Sequence, residues 1–350
     1  MSSGYKTTLE LKNSVNRTIG GDPQNSTEVA VFGKYKWMFG KFIIEPGLRF
    51  QYYASISAAS LEPRLAVKYN VAKTFRLKMA AGMYSQNLIS TTLDKDVVNL
   101  FYGFITSPTN VLQKCNQVVL GTELDILPNL SVNIEGYYKY YPMLTTLNRN
   151  KIYDDNNENA KIPDYYKKDF VYETGDAEGV DFSIKYDYKK IHFWVTYSLG
   201  FIHRNDTKYT FVPPYDRRHN LNIVSTINWG KRNDWELDVR YNFGSGFPFT
   251  QTGGFYEQIY FANMGTDYTT ANGSLGILYA DYNKGRLPYY SRLDFNVKKS
   301  FFLGKTTKLD INLSVTNTLN QQNIFYFDRI TYTRIDQMPI MPSLGISFSF

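Results

Sequence analysis

Two pairs of carboxylates are the residues best suited by type and spacing to do chemistry. Asp294 and Asp310 form one candidate pair, and Glu236 and Asp238 form the other. Two carboxyl groups with different pKa values can act as general acid and general base. The sequence has no HExxH, GxSxG, GxGxxG or P-loop spacing, and acidic residues on β-strands usually pair with neighbouring Arg and Lys. We therefore expect no enzyme and predict no catalytic residue.

A calcium loop is suggested by three oxygen-bearing side chains at alternate positions, Asp155, Asn157 and Asn159. Such a loop needs Gly at its sixth position and a bidentate Glu at its twelfth. Ala160 and Tyr166 occupy these two positions. The pattern therefore favours a solvated loop.

Cysteine and histidine indicate neither a redox site nor a metal site. Cys115 is the one cysteine of the chain, so it has no partner for an internal disulfide. The histidines, His192, His203 and His219, are scattered along the sequence. We predict no metal and no cofactor.

The positive net charge does not indicate a nucleic-acid partner. The formal charge is +7, but Lys and Arg are spread along every segment. Nucleic-acid binding surfaces collect such residues in a patch or tract. We therefore expect no nucleic acid among the partners.

Apolar and polar residues alternate with a period of two, which is the side-chain period of a β-strand. In the segment 130–141 the apolar face carries Leu130, Val132, Ile134, Tyr138 and Tyr140. The opposite face carries Ser131, Asn133, Glu135 and Lys139. Charged residues in mid-strand fit a sheet open to water, and they also fit a membrane barrel with an aqueous or protein-filled lumen.

Composition and hydropathy favour the barrel. Aromatic residues make up 17% of the chain and charged residues 20%, with a mean hydropathy of -0.37. A lipid-facing barrel needs apolar residues on one side of each strand and rings at both interfaces. No run of 18 or more apolar residues occurs, which excludes a transmembrane helix. A closed barrel is the other structure that satisfies its own backbone in hydrocarbon.

The connections between predicted strands alternate between short and long. About 14 strands are predicted, at 5–14, 27–37, 41–52, 59–69, 73–85, 112–126, 129–141, 174–188, 190–203, 217–229, 234–246, 288–301, 306–320 and 341–350. Long polar connections lie at 15–26, 86–111, 142–173, 204–216, 247–287 and 321–340. Short periplasmic turns and long extracellular loops are typical of outer-membrane barrels. The fold class predicted is an all-β transmembrane antiparallel β-barrel in a bacterial outer membrane.

Several segments resemble the C-terminal part of the barrel of TonB-dependent outer-membrane receptors. They are Glu-Pro-Gly-Leu-Arg-Phe at 45–50, Glu-Pro-Arg-Leu-Ala-Val-Lys-Tyr at 62–69, Ala-Ala-Gly-Met-Tyr-Ser-Gln at 80–86, Tyr-Asp-Arg-Arg-His-Asn-Leu at 215–221, Gly-Ser-Gly-Phe-Pro-Phe-Thr at 244–250, Arg-Leu-Pro-Tyr-Tyr-Ser-Arg-Leu-Asp at 286–294, Val-Thr-Asn-Thr-Leu-Asn at 315–320 and Leu-Gly-Ile-Ser-Phe-Ser-Phe at 344–350. Their order along nearly the whole chain carries the resemblance.

The resemblance implies a receptor that binds a siderophore, vitamin or glycan and imports it with energy from an inner-membrane coupling protein. Receptors of this family close about 22 strands around a plugged lumen. We therefore expect residues 1–350 to be the C-terminal segment of a single barrel domain, without its N-terminal plug and remaining strands. The chain begins at Met1 without an apolar signal-peptide segment, which agrees with a shortened N-terminus.

Three groups of residues are predicted to contact substrate, plug or lipid. Aromatic residues in the long connections are predicted to stack on a small-molecule or glycan substrate, or else to pack loop against loop: Phe101, Tyr102, Phe104, Phe255, Tyr256, Tyr260 and Phe261. Charged residues on the polar strand faces are predicted to contact the plug: Arg49, Glu62, Arg64, Arg76 and Asp310. Arg217 and Arg218 are predicted to bind lipopolysaccharide phosphates beside the outer-membrane lipid, or else to be solvated at a strand end.

Two other functions fit the sequence. One is a self-closing barrel of about 14 strands that acts as a passive channel or hydrophobic-solute transporter. It requires the strand at 5–14 to pair with the strand at 341–350. The other is a soluble, aromatic-rich sandwich that binds carbohydrate. It requires two stacked sheets with Leu309, Ile311 and Leu313 sealed between them.

Overall fold

Long antiparallel strands make up most of the regular structure of this chain. The computed structural model describes residues 8–9, 17–18, 27–90, 104–107, 111–258, 274–303 and 307–350. Over these residues the helical segments are two single 3-10 turns, Ala54–Ile56 and Asp164–Tyr166. No helix in the described ranges is both long enough and apolar enough to cross a membrane.

The strands are numbered here in chain order. The first group is β1 Thr8–Leu9, β2 Arg17–Thr18, β3 Glu28–Lys34, β4 Trp37–Phe39, β5 Phe42–Tyr53, β6 Ala58–Asn70, β7 Phe75–Gln86, β8 Leu88–Ser90 and β9 Phe104–Thr106. The second group is β10 Gln113–Leu127, β11 Leu130–Leu147, β12 Phe170–Tyr188, β13 Ile191–Asn205, β14 Thr210–Phe211, β15 His219–Trp229, β16 Trp235–Gly244, β17 Pro248–Phe249 and β18 Thr252–Gln258. The third group is β19 Ser274–Tyr279, β20 Gly285–Arg286, β21 Tyr290–Phe302, β22 Lys308–Thr316, β23 Ile324–Phe327, β24 Arg334–Asp336 and β25 Met341–Ser349.

One continuous sheet of 15 strands contains all the long strands. Its order is β25-β22-β21-β16-β15-β13-β12-β11-β10-β7-β6-β5-β3, with β4 also paired to β5 and β14 also paired to β13. Strands that follow one another along the chain are therefore neighbours, as in an up-and-down barrel wall. The predicted strands from 27–37 onwards all correspond to strands of this sheet. A sandwich requires two stacked sheets, so the soluble-sandwich hypothesis is wrong.

The two faces of the sheet differ in chemistry, and we call them the apolar face and the charged face. Leu313 and Leu344 are Cα partners on the apolar face, and their side chains are 53% and 66% exposed. Leaving apolar surface in water costs about 25 cal/mol per Å². A sheet with rows of such residues uncovered fits an environment of lipid tails.

Short and long connections are sorted to opposite ends of the sheet. Tight turns join β4 to β5, β6 to β7, β10 to β11, β12 to β13, β15 to β16 and β21 to β22. At the other end, which we call the mouth, long connections carry the small hairpins β8–β9, β18–β19 and β23–β24. One connection departs from the predicted alternation: Tyr53 and Ala58 are Cα partners on either side of a single 3-10 turn, so β5 and β6 are joined by a short turn at the mouth.

Each edge strand of the sheet has one partner among the described residues. Glu28–Lys34 pairs with β5, and Met341–Ser349 pairs with β22. Of the predicted strand at 5–14, the structure describes Thr8–Leu9, which pairs with Arg17–Thr18. The rest of that segment lies outside the described residues, so the pairing that a self-closing barrel needs stays a prediction.

A tyrosine on the charged face crosses two glycines on neighbouring strands. Tyr137 of β11 is the Cα partner of Gly179 of β12, which is the partner of Gly200 of β13. A methyl group built on Gly179 would lie 2.6 Å from the Tyr137 hydroxyl and 2.5 Å from the Leu199 carbonyl oxygen. The two glycines thus leave the room that this ring occupies.

We predict that Gly179→Ala lowers the free energy of unfolding by about 1–3 kcal/mol, because the new methyl group overpacks the site. Gly136→Ala is the matched control, because the nearest atom to its Cβ, the Gly179 carbonyl oxygen, is 3.9 Å away. Its effect should be about 0.5 kcal/mol or less. Urea unfolding in detergent micelles, followed by tryptophan fluorescence, measures both. Equal losses in the two variants would contradict this account of the glycines.

Candidate functional site

The charged face carries ion pairs within the wall itself. Arg76, one of the predicted plug contacts, lies 2.8 Å from Glu123 and 2.7 Å from Asp125. Lys68 lies 3.1 Å from Glu123 on its other side. Positive and negative charges alternate across neighbouring strands, so most of the charge in this part of the face is compensated locally.

A second cluster on this face contains three other predicted plug contacts. Glu62 is 2% exposed and accepts hydrogen bonds from the backbone amide and the hydroxyl of Ser85, at 2.9 and 2.8 Å, and from Arg64 at 2.7 Å. The guanidinium of Arg64 also lies 4.5 Å from the ring centre of Tyr84. Arg49 is the Cα partner of Glu62, and its Nε atom is buried without a partner among the described residues.

The carboxylates considered as acid–base pairs have separate partners. Asp310 accepts a hydrogen bond from Ser300 at 2.6 Å, and Asp294 accepts one from Arg292 at 2.8 Å. In the same way, Lys298 donates to Glu236 at 2.6 Å, and Thr226 and Asn296 donate to Asp238 at 2.7 and 2.8 Å. These contacts are structural hydrogen bonds and ion pairs along the wall, and plug contact by Asp310 stays a prediction.

Arg149 joins three separate connections at the mouth. Its guanidinium lies 2.6 Å from Asp206 and 3.1 Å from Glu173. Both carboxylates are almost completely buried, with side-chain exposures of 1% and 0%. The same guanidinium packs on the rings of Phe211 and Tyr282, at 4.0 and 4.6 Å from their centres. Arg149 therefore fixes the connections after β11, β13 and β19 relative to one another.

The pKa values of several groups in the mouth connections are shifted by their surroundings. Burial, together with the nearby carboxylate of Asp206, raises the pKa of Tyr165 to about 12. A hydrogen bond from Lys168 holds the pKa of Asp155 below its ordinary value. The backbone amides of Thr331 and Ile330 lower the pKa of Asp328 in the same way. Asp155, which was considered as a calcium ligand, is therefore engaged in an ion pair.

A cavity of about 440 Å³ lies against the apolar face of the sheet. A larger cavity of about 620 Å³ lies at the mouth and has both aromatic and polar lining residues. On the charged face it is lined by Tyr141, Ala177, Ile202 and Arg204, while Phe211, Tyr215 and Tyr282 line it from the connections. Thr145 also lines it; its side chain is 1% exposed, and its hydroxyl has no hydrogen-bond partner among the described residues. Pockets of this size, with aromatic walls and a few polar groups, suit small ligands.

The predicted ligand-binding rings have different positions. Phe104 is 68% exposed and lines the mouth cavity. Phe255 packs edge-on against Tyr332 at 6.2 Å, and the ring of Tyr256 covers Gly276 in its own hairpin. The remaining four, Phe101, Tyr102, Tyr260 and Phe261, lie outside the described residues. A role in ligand binding stays a prediction for all seven.

Of the rings that line the cavity, Phe104 was predicted from the sequence and the others were missed. Tyr141, Phe211, Tyr215 and Tyr282 were not predicted as ligand-binding residues. Tyr215 begins the segment 215–221, which also contains Arg217 and Arg218. This segment was the local sequence signal for the cavity. The others come together through contacts between distant connections.

The two arginines predicted to bind lipopolysaccharide lie on opposite faces. The guanidinium of Arg217 lies where a side chain on Gly244 would stand, and Gly244 is the Cα partner of Asn220 on the charged face. The guanidinium of Arg218 lies 5.1 Å from the ring centre of Phe201, whose neighbour Gly200 belongs to the charged face. Arg218 is thus the one of the pair placed towards the apolar face. Arg218 also lies 3.6 Å from the buried carboxylate of Asp216, and lipopolysaccharide binding stays a prediction for both arginines.

Solved structures of outer-membrane receptors share this fold. The transporter YddB of Escherichia coli matches with a TM-score of 0.60 and 8% identity, over 93% of this chain and 45% of its own. The ferric-catecholate import receptor Fiu of Escherichia coli matches at 0.59 and 12%, over 93% and 45%. The ferripyoverdine receptor of Pseudomonas aeruginosa matches at 0.57 and 11%, over 98% and 43%.

These matches confirm the predicted fold and the resemblance to TonB-dependent receptors. The chain spans less than half the length of these three proteins. An outer-membrane location follows from a barrel-wall fold whose apolar face is uncovered. No family model matches the sequence, and no curated protein matches it significantly.

We predict that Arg149→Met opens the mouth connections, because it leaves the buried carboxylate of Asp206 without its cation. Breaking a buried pair in this way costs about 3–5 kcal/mol. Protease added to intact cells should cleave these connections about tenfold faster or more. Lys168→Met is the matched control, because its pair with Asp155 in the same region is well exposed and should hardly change cleavage. Cleavage at the wild-type rate in Arg149→Met would refute the role of Arg149.

We also predict a loss of stability between pH 10 and 12 that depends on Tyr165. Below pH 10 the hydroxyl is protonated in both the folded and the unfolded chain. Above it the unfolded chain ionises first, since burial raises the pKa in the folded chain to about 12. The unfolded state then binds fewer protons, and stability falls as pH rises. Urea midpoints at pH 9, 10.5 and 12 should fall less steeply in Tyr165→Phe; an identical slope would count against this assignment.

Proposed function

We propose that this chain forms part of the wall and mouth of an outer-membrane receptor that binds a scarce nutrient at the cell surface and imports it. The observation that carries the proposal is the mouth cavity, which lies on the charged face and is built from residues of five long strands, of short strands and of several connections. Its walls are held by the buried ion pairs of Arg149. A binding site that is ordered before its ligand arrives loses less conformational entropy on binding.

The intact receptor is proposed to contain further strands and a plug. β3 and β25 each leave one edge unpaired among the described residues, and unpaired backbone is not stable in hydrocarbon. Further strands pairing with both edges are proposed to close a single barrel domain that includes residues 1–350. The plug would then contact the charged face near Arg49, Glu62, Arg64, Arg76 and Asp310, and the inner-membrane coupling protein would act through that missing part.

A small molecule is the proposed substrate, with siderophores, vitamins and glycans as its possible classes. The cavity has the volume of a site for such compounds, and its rings can stack on sugars or on aromatic groups. The names of two matched structures point to iron chelates, a ferric catecholate and a ferripyoverdine. Lipid and lipopolysaccharide are the proposed partners of the apolar face and of Arg218.

Uptake by cells that make the full receptor tests this function. We predict that labelled ferric chelates, vitamins or oligosaccharides accumulate only in cells with the gene, and that a protonophore stops the accumulation. Energy dependence separates this proposal from the passive channel. Gene-dependent uptake that continues with the protonophore would establish the channel instead, and no gene-dependent uptake of any class would refute both.

A cavity-filling variant connects uptake to the site. Ile202→Trp places a large ring in the mouth cavity and should lower uptake about tenfold or more, since even a small misplacement of ligand is costly. Val180→Trp is the matched control: Val180 lies on the apolar face of the neighbouring strand and is 47% exposed, so uptake should stay at the wild-type rate. Receptor levels in the outer membrane are compared by blotting. Unchanged uptake in Ile202→Trp would place the ligand elsewhere.

A further inference from the structure

A second, smaller cavity of about 340 Å³ lies on the charged face below the mouth. It is formed where β15, β16 and β21 approach the mouth. Its polar lining residues are Arg217, Asn220, Asn222, Arg240, Asn242, Arg292 and Asp294. Three arginines therefore share this cavity with one carboxylate.

The positive charge of this cavity is only partly compensated. Arg292 donates to Asp294 at 2.8 Å, and the same carboxylate oxygen also accepts the backbone amide of Asn317 at 2.9 Å. Arg240 is the Cα partner of Asp294 but makes no ion pair with any described residue, and Arg217 has no carboxylate partner among those residues either. The ion pairs of Arg76 and Arg149 show the contrary arrangement, in which each guanidinium meets two carboxylates.

Arg217 is held in position without a carboxylate. Its guanidinium packs on the rings of Phe247 and Tyr290, at 4.2 and 5.6 Å from their centres. A methyl group built on Gly244 would lie 2.6 Å from the guanidinium carbon, so a larger residue there would displace it. The Nε atom is buried and has no hydrogen-bond partner within the described part of the chain. The Nε atoms of Arg49, Arg64, Arg76, Arg204 and Arg218 are also buried and without such a partner. What distinguishes Arg217 from the last four of these is that it has no carboxylate partner among the described residues.

Amide side chains add donors to the same cavity. Asn242 donates to Asn222 at 2.9 Å, and both amides stand beside Arg240 on the charged face. Guanidinium and amide groups together match the oxygens of carboxylates and phosphates, which accept several hydrogen bonds at once. The cavity thus offers fixed cations and polar donors, with one carboxylate that is already engaged.

We propose that this cavity binds the anionic group, a carboxylate or a phosphate, of a solute that enters from the mouth. Tyr215 lines the mouth cavity, and Arg217, two residues later, lines this one. A solute whose rings or sugars lie in the mouth cavity can therefore place an anionic group between Arg217 and Arg240. The proposal deepens the receptor function by assigning a charge class to its substrate.

Binding to the purified full receptor in detergent tests the site without any transport step. The probes are citrate and inorganic phosphate, measured by isothermal titration calorimetry at low and at high salt. We expect both to bind, and to bind more weakly at high salt because the ions screen the charges. Arg217→Gln and Arg240→Gln should each weaken binding about tenfold or more, as expected for loss of a charge-assisted hydrogen bond.

Two controls make the result specific. Lys298→Gln removes one positive charge from the same face, but at a site already compensated by Glu236, so binding should change less than about threefold. Arg240→Lys keeps the charge and should retain more affinity than Arg240→Gln. Circular dichroism of each variant verifies the fold.

Either of two results would overturn the proposal. One is wild-type protein that binds neither probe; if Arg240→Gln then also lowers thermal stability, the anion is an acidic side chain of the polypeptide that fills the lumen. The other is equal affinity in Lys298→Gln and Arg240→Gln. Energy-dependent uptake is measured in a separate experiment. If the purified protein binds the anions but cells show no energy-dependent uptake, the receptor function is refuted and the anion site is retained.

Discussion

The alternation of side chains across the pleated sheet is the constraint on which the rest of the molecule depends. Each long strand pairs with its neighbour in a register that holds most apolar residues on one face and most charges on the other. A slip of one residue would move arginines and lysines into lipid, at about 2–4 kcal/mol each near the bilayer midplane. The pairing of β12 with β13 accordingly runs without a shift from Thr174 and Asn205 to Tyr188 and Ile191.

A shift in strand pairing occurs at the mouth, where the strict alternation of apolar and charged side chains ends. The pairing of β11 with β12 shifts between Tyr141 and Leu144, which is at the mouth. Beyond the shift, Leu144 joins Tyr141 in lining the mouth cavity. A bulge re-aims side chains at the end of a strand. Here it places an apolar residue on a face that elsewhere carries charge, and this helps to make an aromatic, apolar cavity at the mouth.

The difference between the regular wall and the irregular mouth explains which features could be predicted from the sequence. The wall was predictable because a period of two survives in one strand read alone, as in 130–141, and the turns are short. The mouth was not, because Arg149, Asp206 and Tyr282 come from distant connections and meet through tertiary contacts. The short turn between Tyr53 and Ala58 was also missed in the predicted alternation. Residue type alone also could not show whether a ring in a connection is free to bind a ligand. Phe255 and Tyr256 both pack against residues of the hairpins.

The same division explains how the fold persists at 8–12% identity to the matched receptors. The wall requires only that apolar and polar residues alternate along each strand, and many sequences meet this requirement. In the proposed receptor, the choice of ligand depends instead on a few side chains held at the mouth, which a shared wall leaves free to differ. Charge compensation distinguishes Arg76 and Arg149, which each meet two carboxylates, from Arg217 of the proposed anion site, which is fixed by rings alone. Under the proposed function, the mouth of this chain, more than its wall, determines which substrate binds.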